Sequence, residues 1–208
     1  VIVTPPTPKA SFIGFESAPV RPIAKITDGN RLLVTNTSNN SLEIFDISSN
    51  GSPVHKQSLM VGLEPVSVGV YHNKAWVVNH LSDSISLVDL SKEVAHIERT
   101  ILVGDEPRDI VFANNRAFIT TAHRGQHRMS ETLKNVEGSG DPKLHTNGQG
   151  RADIWVFDVD NLGDGSGGKP VKIMSFFGDS FRGLAVTPDK KTIYAGVLNS
   201  GNQTTAVH

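Results

Sequence analysis

The chain has 208 residues, 38% of them hydrophobic and 20% charged, with a formal net charge of -1. This composition supports a packed core, excludes a disordered chain, and lacks the basic excess of a general nucleic-acid binder. No run reaches the roughly 18 apolar residues of a membrane helix, and the absence of cysteine excludes disulfides, thiolate zinc sites, CxxCH haem attachment and cysteine nucleophiles.

The sequence opens on Val1 rather than Met, which reads as a processed or trimmed product with no signal peptide left. Residues 1–10 are an extended, Pro-rich lead-in. Ser11-Phe-Ile-Gly-Phe-Glu16 is a candidate closing strand. A repeat then sets in. Pro22 to Asn36, Pro65 to Asn79 and Pro107 to Thr121 superpose, with Pro-to-Pro steps of 43 and 42 residues. A fourth copy runs from Phe181 to Val197 with a turn one residue longer, ending Tyr-Ala-Gly196 where the first copy has Val-Thr-Asn36. Its step of 74 leaves about 32 extra residues in the third unit.

The second halves of the units match as well. Ser41-Leu-Glu-Ile-Phe-Asp46, Ser84-Ile-Ser-Leu-Val-Asp89 and Ala152-Asp-Ile-Trp-Val-Phe-Asp158 alternate apolar with polar residues and stop at an Asp. Lys56 to Gly62, Glu98 to Gly104 and Val171 to Gly178 follow, and Gly201 to His208 fits the third-strand slot of the fourth unit. Four short strands per unit, separated by Asn, Asp, Gly and Ser turns, predict an almost entirely β fold. The boundaries are a lead-in at 1–17, then units at 18–62, 63–104, 105–179 with an insertion at 122–151, and an incomplete 180–208. Trp76 and Trp155 alternate with polar neighbours and are expected in the core between units.

Four-stranded units of this length are the pattern of β-propeller blades. Val-Thr-Asn36 and Val-Val-Asn79, the closing Ile-Phe-Asp46 and Leu-Val-Asp89, and Val-Gly62 and Val-Gly104 with a Pro three residues on resemble the YVTN-type propellers, the bacterial surface-layer and lactonase-like family. Ile-Thr-Thr121 departs from the motif. The resemblance implies an all-β propeller of four-stranded antiparallel blades, with about four blades here out of a roughly seven-bladed ring, in a periplasmic or extracellular setting. It implies as partners the remaining blades or another copy of the protein, and a small-molecule or protein ligand. No nucleic acid and no membrane span are expected.

Antiparallel order places the links into each first strand and the turns after each second strand on one mouth. Arg21, Glu64, Glu106, Arg108, Asp179 and Arg182 fall there, with Asn36 to Asn40, Asn79 to Ser84, and Asn199 to Gln203. The insertion leaves the second strand of the third unit and joins them. A loop this long is functional or disordered. It reads as a polar, solvated loop with three of the eight histidines, His123, His127 and His145. His123 and His127 would share a face on one helical turn, and imidazoles suit a transition metal. Arg124, Arg128 and Arg151 offer forks for a carboxylate or phosphate, and Arg108 and Arg182 a cationic patch unless Glu106, Asp109 or Asp179 neutralises them.

The stretch from Asp158 to Lys169 fails the EF-hand template, with Leu162 and Lys169 at ligand positions, and reads as a Gly-rich turn. No nucleophile elbow occurs. The expectation is a non-catalytic binding scaffold without a predicted cofactor, with Arg108, His123, Arg124, His127, Arg151, Arg182, Asn199 and Asn202 as ligand-contact candidates. The alternatives are a lactonase-like or metal-dependent enzyme at the mouth, or an accessory propeller of a cytochrome-type redox protein.

Overall fold

The computed structural model describes residues 18–26, 30–140, 152–176 and 178–200. Among them are fourteen strands, three short 3-10 turns and no α-helix. Strands β1 (Ile23–Lys25), β2 (Arg31–Asn36), β3 (Ser41–Ile47) and β4 (Pro53–Met60) form one antiparallel sheet in chain order. A second holds β5 (Pro65–Tyr71), β6 (Lys74–Asn79), β7 (Ser84–Asp89) and β8 (His96–Leu102). A third holds β9 (Pro107–Ala113), β10 (Arg116–Thr121), β11 (Ala152–Asp158) and β12 (Lys172–Phe176). Last, β13 (Gly178–Val186) pairs with β14 (Ile193–Ser200). The candidate closing strand Ser11–Glu16 and the segment 201–208 lie outside the described residues.

The recurring Asp has a physical reason. Asp46, Asp89 and Asp158 stand directly across from Arg31, Lys74 and Arg116, so each second-to-third strand pairing ends on opposite charges. The fourth copy departs from the sequence match by one residue. Phe181 pairs with Val197, as Pro65 pairs with Asn79, so Val197 rather than Gly196 takes the Asn place. A one-residue slip exchanges the two faces of a strand. Here it puts Ile193 and Ala195 against the third sheet and leaves Tyr194 65% exposed on the far side.

Period-two alternation gives each sheet two apolar faces, and the core consists of three layers between sheets. Leu33, Leu42 and Ile44 of the first sheet meet Val68, Ala75, Val77 and Val88 of the second. The opposite face of the second sheet, with Trp76, Val78, Ile85 and Leu87, meets Ile119, Trp155, Phe157 and Ile173 of the third. The third layer is thinner: Val111, Ile154 and Val156 meet Leu184. Trp76 and Trp155 are both at most 1% exposed, as expected of core residues. The first strands β1, β5, β9 and β13 touch in succession, so the sheets share one inner edge.

Outer strands are tied to the next unit. Gln57 on β4 exchanges two hydrogen bonds with the backbone of Ala95, at 2.8 and 3.0 Å. On β8, Leu102 N–H donates to the Gly167 carbonyl at 2.8 Å, and Arg99 donates to Gly163 and Gly165 carbonyls. The Gly-rich turn therefore covers an edge strand, satisfying backbone groups that would otherwise template aggregation. On β12 the insertion does this from its own unit, with Ile173 N–H donating to the Glu137 carbonyl at 2.8 Å.

Replacing Trp155 by Ala removes one of the two indole rings of the central layer. It should cost about 3–5 kcal/mol of unfolding free energy, read from urea titration, whereas Tyr194→Ser should change stability by less than about 0.5 kcal/mol.

Candidate functional site

The junctions between units are built from left-handed residues. Asn40 and Asp83 close the turns after β2 and β6 with φ of 54° and 47°, a conformation that short polar side chains tolerate. The Asn40 carbonyl accepts from Val61 N–H at 2.9 Å, and its Oδ1 from Glu64 N–H at 2.9 Å. The Asp83 carbonyl and Oδ1 accept from Val103 and Glu106 N–H at 3.0 and 2.8 Å. Glu64 and Glu106 are themselves left-handed. Their carbonyls take the N–H groups of His80 and Ala122 at 2.9 and 3.1 Å. These bonds gather the links and turns on one end of the molecule, the mouth that strand order implied.

The third unit replaces the Asn turn with the insertion, whose first part, 122–140, is described. It is solvated only in part. Leu133 and Val136 enter the central core layer, and Arg128 is 5% exposed. The Arg128 guanidinium donates to Asp153 Oδ2 at 2.6 Å, to Ser175 Oγ at 3.3 Å and to the carbonyls of Gly140 and Gly138. Arg124, also buried, brings Nε to 3.9 Å from Asp153 Oδ1. Burial pushes the Asp153 carboxyl up, and Arg128, Ser175 and Arg124 oppose that rise. Arg124 and Arg128, expected to meet an external anion, are thus turned inward onto an internal one. Asp153 was missed in the sequence, yet a signal existed. Counted back from the terminal Asp of each strand, it occupies the place of Ser41 and Ser84, and a carboxylate in a small-hydroxyl slot calls for a buried cation.

The two mouth histidines do not share a helical face. Gly125, at φ 70°, reverses the chain between them, and a Cβ there would sit 2.2 Å from Asp105 Oδ1. His123 is half-exposed, with Nε2 3.9 Å from Glu106 Oε2. His127 begins a 3-10 turn and stacks on Trp155, with centroids 5.7 Å apart and planes at 16°. Burial lowers its pKa. Among the described residues, no three His, Asp or Glu are grouped to hold a metal ion. His145, Arg151 and Asn202 lie outside the described residues, and Asn199 falls within β14.

Asp83, Leu102, Val103, Asp105, Gln126 and His127 enclose a pocket of about 320 Å³ between the second unit and the insertion. Burial raises the carboxyl pKa of both Asp83 and Asp105, and the neighbouring Glu106 charge adds to each shift. Arg108 is 5% exposed, with Nη2 3.5 Å from Glu106 Oε2. Arg182 lies half-buried on β13, where its carbonyl accepts from Thr120 Oγ1 at 3.4 Å.

Arg21 does not rim the mouth. It crosses the shared inner edge, donating from Nε and Nη2 to Asp109 at 2.9 and 3.1 Å and from Nη2 to the Leu184 carbonyl at 2.8 Å. The fully buried Asp109 also accepts from Leu184 and Ile110 N–H at 2.7 and 2.8 Å. One carboxylate therefore joins the lead into β1 to β9 and β13.

No family model and no curated protein matches the chain. Solved structures do. A candidate 6-phosphogluconolactonase from Bacteroides uniformis superposes with a TM-score of 0.60 at 14% identity, over 87% of this chain and 51% of that one. The complex of KlAtg21 with the coiled coil of AgAtg16 gives 0.50 at 16%, over 81% and 46%. Hydrazine synthase of Kuenenia stuttgartiensis gives 0.48 at 20%, over 96% and 62%. The chain spans about half the length of the first two. At these identities the likeness to the first two speaks for a propeller-like fold and for nothing else.

Arg128→Met should cost about 3–5 kcal/mol, because it strips a buried carboxylate of its closest cation. Arg128→Lys should recover only part of this, since one ammonium cannot reach Asp153 and both glycine carbonyls; chemical denaturation separates the two. The pH dependence has two opposing parts. Asp83 and Asp105 titrate higher folded than unfolded, so their contribution falls as pH rises from the ordinary carboxylate range through the raised values. His127 titrates lower folded than unfolded, so its contribution is lost as pH falls below the ordinary histidine value of 6.5. Melting curves of Asp105→Asn should lose part of the first slope and those of His127→Phe the second.

Proposed function

We propose that this chain is a non-catalytic binding scaffold of propeller type, and that the mouth pocket between the second unit and the insertion is its ligand site. The observation that carries the reading is the pinning of the insertion. Arg128 on Asp153 and Leu133 in the core hold Gln126 and His127 as fixed walls over Asp83 and Asp105. A preorganised wall lowers the ordering cost of binding. Two acidic side chains, an amide and an imidazole suit a small ligand rich in hydrogen-bond donors, such as an amine or a polyol.

The same reading gives the chain partners of its own kind. Between the third sheet and β13–β14 lies an apolar cavity of about 550 Å³ walled by Phe118, Ile154, Met174 and Phe181. Corresponding faces of the first two sheets are covered by four strands each, so further blades of a roughly seven-bladed ring, or a second copy, belong on this side. The seven-bladed ring and the exported bacterial setting rest on the YVTN resemblance alone.

Metal analysis of the purified chain, together with an assay on a simple lactone, tests the non-catalytic part. The expected outcome is no stoichiometric transition metal and no hydrolysis above background. Bound metal with lactone hydrolysis that disappears in His127→Ala would turn the mouth into an enzyme site. The binding part is read by calorimetry with spermidine and glycerol as probes. Saturable heat that Asp105→Asn abolishes supports it, and identical isotherms for both proteins would count against it.

A further inference from the structure

The inner edge shared by the sheets carries a second cavity, on the end opposite the mouth. It has a volume of about 420 Å³ and is bounded by β1, β5, β9 and the start of the β13–β14 turn. Its walls are mixed: Ile23, Val70 and Phe112 keep apolar surface on it, while Val68 and Ile110 are buried behind them. Tyr71 adds a ring tilted 31° to Phe112 at 5.1 Å, and its hydroxyl donates to Asn115 Oδ1. Gly69 lines the same wall, where a Cβ would come within 2.7 Å of the Phe112 ring, so the β5 backbone and that ring are in close contact.

Charge on this cavity is of one sign. Arg21, Lys25 and Lys190 line it, and no carboxylate does. Arg21 is held by Asp109 and the Leu184 carbonyl. Lys25 and Lys190 have no ion pair among the described residues. The acid next to Lys190 along the chain, Asp189, accepts from Thr187 Oγ1 and Lys191 N–H at 2.5 and 3.1 Å; the acid nearest Lys25 along the chain, Asp28, lies outside the described residues. Lys25 ends β1, Tyr71 ends β5 and Lys190 lies in the β13–β14 turn, all at the end of the inner strands away from the mouth. The Arg21–Asp109–Leu184 bridge crosses the inner edge at the mouth end of this cavity.

The geometry points to a binding site here for a small organic anion with an apolar body, a carboxylate carried on an aromatic or aliphatic group. The volume falls within the range of small-molecule sites, and apolar walls with a few convergent charges are their usual lining. The apolar part would lie against Phe112, Val70 and Ile23, and the carboxylate would take charge-assisted hydrogen bonds from Lys25 and Lys190. The cavity shares no lining residue with the pocket at Asp83 and His127, so the two sites are separate.

The test is isothermal titration of the whole chain with 3-phenylpropionate. Neutral 3-phenylpropanol and inorganic phosphate serve as comparison probes. Saturable binding of 3-phenylpropionate is expected, weakened about tenfold or more in K25A/K190A. The alcohol, which keeps the ring but loses the charge, should bind about tenfold less well, and phosphate more weakly still. Both lysines are exposed, so the double variant should melt as the parent does. His127→Ala should leave this binding unchanged, which separates it from the mouth. Absence of saturation, equal affinity in K25A/K190A, or equal affinity of the alcohol each overturns the proposal.

Discussion

A small sheet that is apolar on both faces must be covered twice, and the structure follows from that requirement. The second sheet shows it most fully. All six residues of β6 but the first, and all six of β7 but the last, are buried. Such a sheet is unstable alone, because neither face can be left to water without losing roughly 25 cal/mol per Å² of apolar area. Stacking like sheets satisfies it, and stacking brings first strands to a common inner edge and fourth strands to the outside. Between the stacked sheets the polar chemistry is then left to three places: the mouth, the outer edges, and the line where the inner strands meet.

Each of these places solves a backbone problem. At the mouth, a left-handed Asn or Asp lends its carbonyl and its side-chain oxygen to the link into the next unit, so one residue closes one unit and registers the following one. On the outside, Gln57 and the Gly-rich turn occupy edge groups that would otherwise be unpaired. On the inside, Asp109 collects four donors while fully buried. A buried carboxylate is tolerated only when its acceptor capacity is filled, and here filling it ties together segments 163 residues apart. The insertion obeys the same rule. Asp153 replaces a Ser in the repeat, and Arg128 is the cation that makes this replacement tolerable. The insertion at the mouth thus rests on a structural ion pair beneath it.

The ends of the stack differ from its middle. The far face of the first sheet carries Glu43, whose burial is outweighed by hydrogen bonds from Ser41, Ser58, His55 and Asn36, so its carboxyl titrates low. His55 and Ser58 both reach the same carboxylate oxygen through 2.9 Å and shorter contacts, and His55 offers both partners a single nitrogen, Nε2. That arrangement lacks the relay of a hydrolytic triad, in which the acid and the nucleophile use different ring nitrogens. It keeps an anion solvated by side chains on a face that its neighbours in the repeat devote to packing.

The sequence by itself determined the all-β character, the strand order within each unit, the place of the insertion and the two tryptophans of the core. These depend on local quantities, period-two alternation and turn chemistry, which repeat visibly every 42 or 43 residues. It also located the mouth, because antiparallel order fixes which loops share an end. Tertiary structure alone decided what the charged residues do. Arg21 and Asp109, 88 residues apart, and Arg128 and Asp153, 25 apart, meet only once sheets are stacked, and no spacing rule announces such a meeting. The register of the fourth copy was decided in the same way: Phe181 stands across from Val197, and Ile193 and Ala195 pack against Val111 and Ile154. Periodicity records which residues leave water. Which partner a buried charge finds is set by the three-dimensional path of the chain, and that is why the fold was legible and the ion pairs were not.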